Sequence, residues 1–235
     1  MRVEIDLHPS QAQILRDLVL KPSARFGELN SDKLPTDHFS FHLKRLQEIG
    51  WIRKKEDGAY ELTDDGKHIG GRLDTETAKI ERQAKVGVSL VAVRQVGGVW
   101  QYLAQERLKQ PYYGYHGFVT GKIRWGMSVL ETAARELQEE TGLVAGKMTM
   151  MGVMHKTDLG KDGEVLDDKF FFRVRCENLS GELKENDPHS GRNFWCTREE
   201  LLALPNQFPD LDKVLEAIHG DSPVFIEKTY SAEGF

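Results

Sequence analysis

Cysteine is scarce in this 235-residue chain. Cys176 and Cys196 are the two present, and they are too few and too isolated for a disulfide scaffold or a thiolate metal site. Long apolar runs are also missing. The longest, Val86 to Val93, is eight residues and includes Gly87 and Ser89, whereas a membrane span needs about 20. The opening Met1-Arg2-Val3-Glu4-Ile5-Asp6 carries acids where a secretory signal would be apolar. A reducing cytoplasm and no membrane partner are therefore expected. Charge of one sign is lacking too: 32 Lys and Arg against 37 Asp and Glu leave a net of −5. That balance argues against bulk electrostatic binding to nucleic acid. There is no low-complexity tract and no internal repeat.

At roughly 150 residues per domain, the length suits one large or two small domains. The texture changes near residue 80. Before it, Pro9 to Leu20 and the spacing of Phe39, Leu43, Leu46 and Ile49 predict helices. Two short strand-like pieces, Trp51–Lys54 and Ala59–Leu62, flank Asp57-Gly58, a hairpin signal. A polar helix is expected from Thr63 to about Leu73, and the charged stretch 74–85 reads as a linker. Beyond it the pattern is mixed. Val86–Arg94 and Val99–Glu106 suggest a hairpin around Gly97-Gly98, with further strands at Met148–Lys156 and Lys169–Arg175. Ser128-x-x-Glu131 and Gly142 bracket a helix over about 129–141, and Thr197-x-x-Glu200 opens another. Pro209 to His219 reads as a closing helix, and the tail from Gly220 has no firm assignment.

On the helix over 129–141, Glu136, Glu139 and Glu140 fall on one arc of about 100° beside an apolar stripe of Val129, Leu130, Ala133, Ala134 and Leu137. Clustered carboxylates repel one another by roughly 0.2–0.5 kcal/mol per close pair on an exposed helix. A hard divalent cation relieves that cost, and Mg²⁺ prefers such oxygen ligands shared with substrate phosphates. An arbitrary acidic edge is more often simply solvated; the surrounding residues decide here. Gly121, Arg135-Glu136-Leu137, Glu139-Glu140 and Gly142-Leu143 stand at the spacing of the Nudix box, which this segment closely resembles. Two positions depart: the first glutamate of the pattern is Met127, and the often doubled glycine reads Thr120-Gly121.

The resemblance implies an α/β (α+β) fold, the Nudix α/β/α sandwich with a mixed sheet, over residues 81–235. It implies a metal-dependent pyrophosphohydrolase cleaving the diphosphate of a nucleoside diphosphate derivative. Glu136, Glu139 and Glu140 would bind Mg²⁺ or Mn²⁺, and Arg135 would orient them, with Glu131 as a further partner one turn earlier. The proton of the attacking water would go to Glu139, or to Asp158, Asp162, Glu164, Asp167 or Asp168 in a loop expected after His155. His116 and His155 are weaker candidates for substrate contact, as are Tyr112, Tyr113, Tyr115 and Trp125 for base stacking.

Residues 8–75 resemble a winged helix-turn-helix of bacterial and archaeal transcription regulators, within a domain expected at 1–80. The resemblance rests on Phe39-Ser40-Phe41-His42-Leu43-Lys44-Arg45-Leu46 and the step through Gly50-Trp51-Ile52-Arg53 into the hairpin. It implies a recognition helix over Pro35–Ile49 with His38, Ser40, His42, Lys44 and Arg45 facing outward, and Arg53, Lys54 and Lys55 in the wing. Double-stranded DNA is then a partner, and a homodimer is expected. Residues 1–84 hold 14 basic and 15 acidic side chains, a poor balance for DNA, so a dimerising role stands beside it. The rival to the enzyme is a transcription regulator whose Nudix domain senses a nucleotide metabolite with little turnover.

Overall fold

The computed structural model describes residues 7–232; the opening hexapeptide lies outside them. The chain divides into two compact units, residues 1–82 and 83–235. No helix among the described residues is long and apolar enough to cross a membrane.

The first unit runs α1 (Pro9–Leu20), α2 (Phe26–Leu29), α3 (Thr36–Glu48), β1 (Ile52–Lys54), β2 (Tyr60–Leu62) and α4 (Asp64–Gly70). Its core joins Ile14, Leu15 and Leu18 of α1 to Phe39, Leu43 and Leu46 of α3 and to Ile52 and Leu62 of the hairpin. Gly58 turns that hairpin at φ +82°, a conformation that suits glycine. Thr63 caps α4 by accepting from Gly66 N at 3.0 Å. His42 departs from the outward orientation expected of it. It is buried and stacked on His8, ring centroids 4.1 Å apart. The reason is helical spacing: position 42 lies three residues after Phe39 and one before Leu43, on the core side of α3. Phe41 takes the exposed place instead.

The second unit contains β3 (Lys85–Val96), β4 (Val99–Arg107), β5 (His116–Gly117), β6 (Val119–Lys122), α5 (Val129–Thr141), β7 (Leu143–Leu159), β8 (Val165–Gly181), β9 (Asn186–Asp187), β10 (Gly191–Cys196), α6 (Arg198–Ala203), α7 (Leu211–Ala217) and β11 (Val224–Ser231). Its strands form one mixed sheet in the order β11-β7-β8-β3-β4-β10-β9, with β5 on β4 and β6 on β3. The pair β3 and β8 is parallel, as is β11 with β7; the others are antiparallel.

Strand β3 shows how the layers arise. Val88, Leu90 and Ala92 join the core with Ala133 and Leu137 of α5. Val91 and Val93 join the opposite core with Leu201 of α6 and Leu211 and Leu215 of α7. Alternate side chains of one strand thus bury both faces of the sheet, which makes the α/β/α sandwich. Along its length β3 also changes partner, pairing with β6 over Gly87–Leu90 and with β4 over Val93–Val96. A split in the sheet opens where those partners diverge.

Two stretches differ from expectation. The loop expected after His155 is strand: β7 and β8 pair from Leu143–Gly181 out to Leu159–Val165, leaving a turn over 160–164. Cross-strand pairing carries polar residues such as Asp158 and Asp168 into the ladder, which periodicity alone does not reveal. The tail forms β11, parallel to β7 from Val224–Gly152 to Ser231–Leu159; residues 233–235 lie outside the described chain.

Candidate active site

Helix α5 is bounded by strong local signals. Ser128 and Glu131 form a reciprocal capping box, and Gly142 stops the helix in the left-handed region at φ +74°. Because Glu131 is engaged by Ser128 N at 2.9 Å and Oγ at 2.7 Å, it does not serve as the partner expected for Arg135. The arginine turns the other way. Its Nη2 donates to Glu136 Oε1 at 2.6 Å and its Nη1 to Glu139 Oε2 at 2.7 Å. A further contact from Nη2 reaches the Lys122 carbonyl at 3.3 Å and ties the helix to β6.

The buried stripe of α5 is Thr132, Ala133, Glu136, Leu137, Glu140 and Thr141, whereas Leu130 is exposed. The three glutamates therefore part company. Glu136 and Glu140 are each 9% exposed and line a cavity of about 460 Å³, while Glu139 stays largely in solvent, held by Arg135 and by Arg124 at 3.8 Å. Gly121 makes room for this. A Cβ placed there would fall 2.0 Å from Glu136 Cγ, so only a residue without a side chain lets the glutamate lie against β6.

Glu140 accepts from Gln105 Nε2 at 3.1 Å and faces Lys109 Nζ at 3.6 Å. Burial raises its pKa; Gln105 and Lys109 oppose the rise, and the charge of Glu136 adds to it. Two carboxylates facing one cavity and repelling each other suit a hard cation that takes its remaining ligands from water and substrate phosphates. Among the described residues no three of His, Cys, Asp or Glu enclose an ion by themselves. The donor set thus matches Mg²⁺ or Mn²⁺ in chemistry, with Glu136 and Glu140 presented to the cavity and Glu139 outside it. Met127, half-buried, supplies no carboxylate.

The cavity wall is otherwise basic and aromatic. Lys109, Lys122 and Arg124 stand near the glutamates, and Lys85, Lys156, Lys169 and Arg173 line the part of the cavity built on β3, β7 and β8. Tyr112, Phe118, Phe170, Phe171 and Phe208 supply the apolar surface. Of the aromatic candidates in the sequence, Tyr112 reaches the cavity, whereas Tyr113 and Trp125 are exposed.

The candidate proton acceptors on β7 and β8 are already engaged. Asp158 holds Lys156 at 2.7 Å, and Asp167 holds Lys85 at 2.6 Å and Lys169 at 2.5 Å. Asp168 binds His155 Nε2 at 2.7 Å. Asp162 and Glu164 sit exposed in or beside the turn. Asp158 and Asp167 thus position cavity lysines, and none of these carboxylates lines the cavity itself. His155 also stacks on Phe170 at 4.1 Å, and its pKa is raised by hydrogen bonds to Glu227 and Asp168. His116 is structural, its Nδ1 bonded to the Pro205 carbonyl at 2.7 Å. Sequence reasoning missed Gln105, Lys156 and Arg173. Only Arg173, a charge between Phe172 and Val174, gave a signal; Gln105 and Lys156 stand beside other polar residues and gave none.

A family model described as NUDIX domain matches residues 83–218. The chain belongs to the NUDIX domain family. An ADP-ribose pyrophosphatase of Methanocaldococcus jannaschii is 29% identical over 111 residues, 47% of this chain; the match spans 61% of that relative's length. Among solved structures, a mutator MutT protein from Bacillus halodurans superposes with a TM-score of 0.52 at 22% identity, covering 64% of this chain and 93% of that one. The NUDIX domain of Shewanella oneidensis NrtR, complexed with ADP ribose, gives 0.51 at 16% identity, covering 66% and 96%. At these identities the structural likeness concerns the fold. The segment that resembles the NUDIX box, Gly121 to Leu143, lies within the matched residues and contains α5.

Proposed function

We propose that this NUDIX protein is a Mg²⁺- or Mn²⁺-dependent pyrophosphohydrolase that cleaves a nucleoside diphosphate derivative, with ADP-ribose-type compounds as the first class to test. The observation that carries this reading is the cavity into which Glu136 and Glu140 project together, rimmed by Lys109, Lys122 and Arg124. Basic side chains around a diphosphate favour the charge that develops as its P–O bond breaks. Arg135 is the positioning residue: it clamps Glu136 and Glu139 on either side and anchors α5 to the Lys122 carbonyl. A divalent cation held by Glu136 and Glu140 would supply charge neutralisation and a water of lowered pKa; Glu139, outside the cavity, would join as a ligand only by leaving Arg124 and Arg135. Glu139 would be the carboxylate that takes the attacking water's proton, and its solvent-facing position would let it pass the proton on. The aromatic surfaces of Tyr112, Phe170 and Phe208 offer stacking area to a base. The relative in Methanocaldococcus jannaschii, named for ADP-ribose, supports the substrate class.

The test is phosphate release, coupled to a phosphatase, from ADP-ribose, nucleotide sugars, dinucleotides and nucleoside triphosphates with and without Mg²⁺. Metal-dependent turnover of a diphosphate-linked compound is expected. Absence of turnover across the panel, with the same compounds still shifting the melting temperature, would favour the sensor.

That second reading has its own observation in the first unit. Three helices followed by a two-stranded hairpin place His38, Ser40, Lys44 and Arg45 on the exposed side of α3, and Arg53, Lys54 and Lys55 on the hairpin. This order supports a winged helix that meets double-stranded DNA through phosphate contacts. Several of these cations are shared with acids: Lys44 and Arg45 with Glu48, Arg53 with Glu61, Lys55 with Asp57. A homodimer would pair two such helices on neighbouring half-sites.

A further inference from the structure

Arg173 stands out within the cavity. It is 4% exposed, and its Nη2 contacts Met154 Sδ at 2.9 Å. Among the described residues no carboxylate lies within ion-pair distance of it. Asp210, which acts on it from farther away, is already held by Lys228 at 2.7 Å, Lys213 at 2.9 Å and Tyr230 at 2.5 Å. The neighbouring Lys156 is matched by Asp158. A guanidinium carries five donors, and burying it against a thioether leaves most of its charge and hydrogen-bonding capacity unspent. Such a group is costly unless something else meets it.

The sheet register shows what stands beside it. Arg173 on β8 is paired with Ser89 on β3, and Ser89 with Thr120 on β6. Register partners point to the same face of a sheet, and all three line the cavity. They form a row across three adjacent strands: hydroxyl, hydroxyl, guanidinium. On β6 Gly121 receives Glu136 on the α5 face, so the neighbouring Thr120 points to the opposite face with Ser89 and Arg173. The cavity is lined from both faces, and two strand spacings, on the order of 10 Å, separate β6 from β8. A diphosphate seated at the glutamates leaves this row to another part of the same molecule. The row offers several donors and no carboxylate, and Lys85 and Lys169 share the single Asp167 nearby. A phosphomonoester, with about −1.5 to −2 charge and three acceptor oxygens, fits this surplus of donors and positive charge.

We propose that Arg173, Ser89 and Thr120 form a subsite for a phosphomonoester carried by the substrate in addition to its diphosphate. This rests on the reading of the cavity as the site of diphosphate cleavage. The substrate class is thereby narrowed to nucleoside diphosphate derivatives that bear a further phosphate.

The experiment measures affinity by calorimetry and kcat/KM for pairs that differ by one phosphomonoester: NADPH with NADH, 2′-phospho-ADP-ribose with ADP-ribose, and coenzyme A with dephospho-coenzyme A. At least one pair is expected to favour its phosphorylated member by about tenfold or more. The preference should fall towards unity in Arg173→Met, stay partial in Arg173→Lys, and weaken in Ser89→Ala. Methionine removes the buried charge at similar volume, so folding should hold, and the melting temperature verifies it. If Arg173→Met does not fold, Arg173→Lys and Ser89→Ala decide by the same ratio. Equal binding within all three pairs, or a preference that survives these substitutions, overturns the subsite. Discrimination in binding without turnover in any pair leaves the subsite standing and removes the hydrolase reading. Turnover without discrimination does the reverse.

Discussion

Helices α3 and α5 are both 13 residues long, and both carry clustered charge, yet they hold it differently. On α3, Lys44 and Arg45 reach solvent and share Glu48 at 4.0 and 3.6 Å. Such exposed pairs contribute about 0–1 kcal/mol and yield readily to a competing anion. On α5, Glu136 is nearly buried, clamped at 2.6 Å by Arg135 and pressed against Gly121. The first arrangement would leave the cations free to adjust to a phosphate backbone. The second sets a carboxylate's position in advance, as the proposed chemistry at a phosphorus would require. Their ends differ too: α5 has a reciprocal cap and a glycine stop, while Pro35 gives α3 no side-chain cap.

The comparison can be broken most sharply at the glutamates. Glu136→Gln should lower turnover by a factor on the order of 10²–10⁴, the range for a lost acid–base group or weakened metal, and should diminish the Mg²⁺-induced rise in melting temperature. Glu139→Gln is expected to fall in the same range if its carboxylate takes the proton, with a smaller change in the Mg²⁺ shift than Glu136→Gln. Undiminished turnover in both, with unchanged Mg²⁺ shifts, would return this helix edge to a solvated face. Gly121→Ala comes next. Its Cβ would displace Glu136, and we expect turnover to drop about a hundredfold with a stability loss of roughly 1–3 kcal/mol, read by kinetics and urea denaturation. Normal kinetics in a folded Gly121→Ala protein would show that the position of Glu136 is not demanding.

Smaller effects sharpen the contrast between the helix ends. Ser128→Ala removes the cap of α5 and should cost about 1 kcal/mol in denaturation, with kcat falling less than in Gly121→Ala. Smallest in stability is Lys44→Ala with Arg45→Ala, expected within about 0.5 kcal/mol of the parent. Its signature lies elsewhere: the slope of log affinity for duplex DNA against log salt should flatten by up to about 2. An unchanged slope in fluorescence anisotropy would assign α3 to protein contact instead.

Local structure was legible from residues close together in the chain. Ser128, Glu131 and Gly142 bound α5, Thr197 and Glu200 open α6, and Asp57-Gly58 turns the β1–β2 hairpin, because caps and turns close hydrogen bonds over three or four residues. The acidic arc was visible for the same reason. The tertiary structure decided which of its members face the cavity, since that depends on Gly121 lying beneath Glu136 and on Gln105 reaching Glu140 from β4. The burial of His42, the pairing of β11 with β7, and the row from Thr120 through Ser89 to Arg173 belong to the same class. Each joins residues far apart in the chain, and a sheet's register is chosen by the packing of both its faces, which no short window of sequence contains.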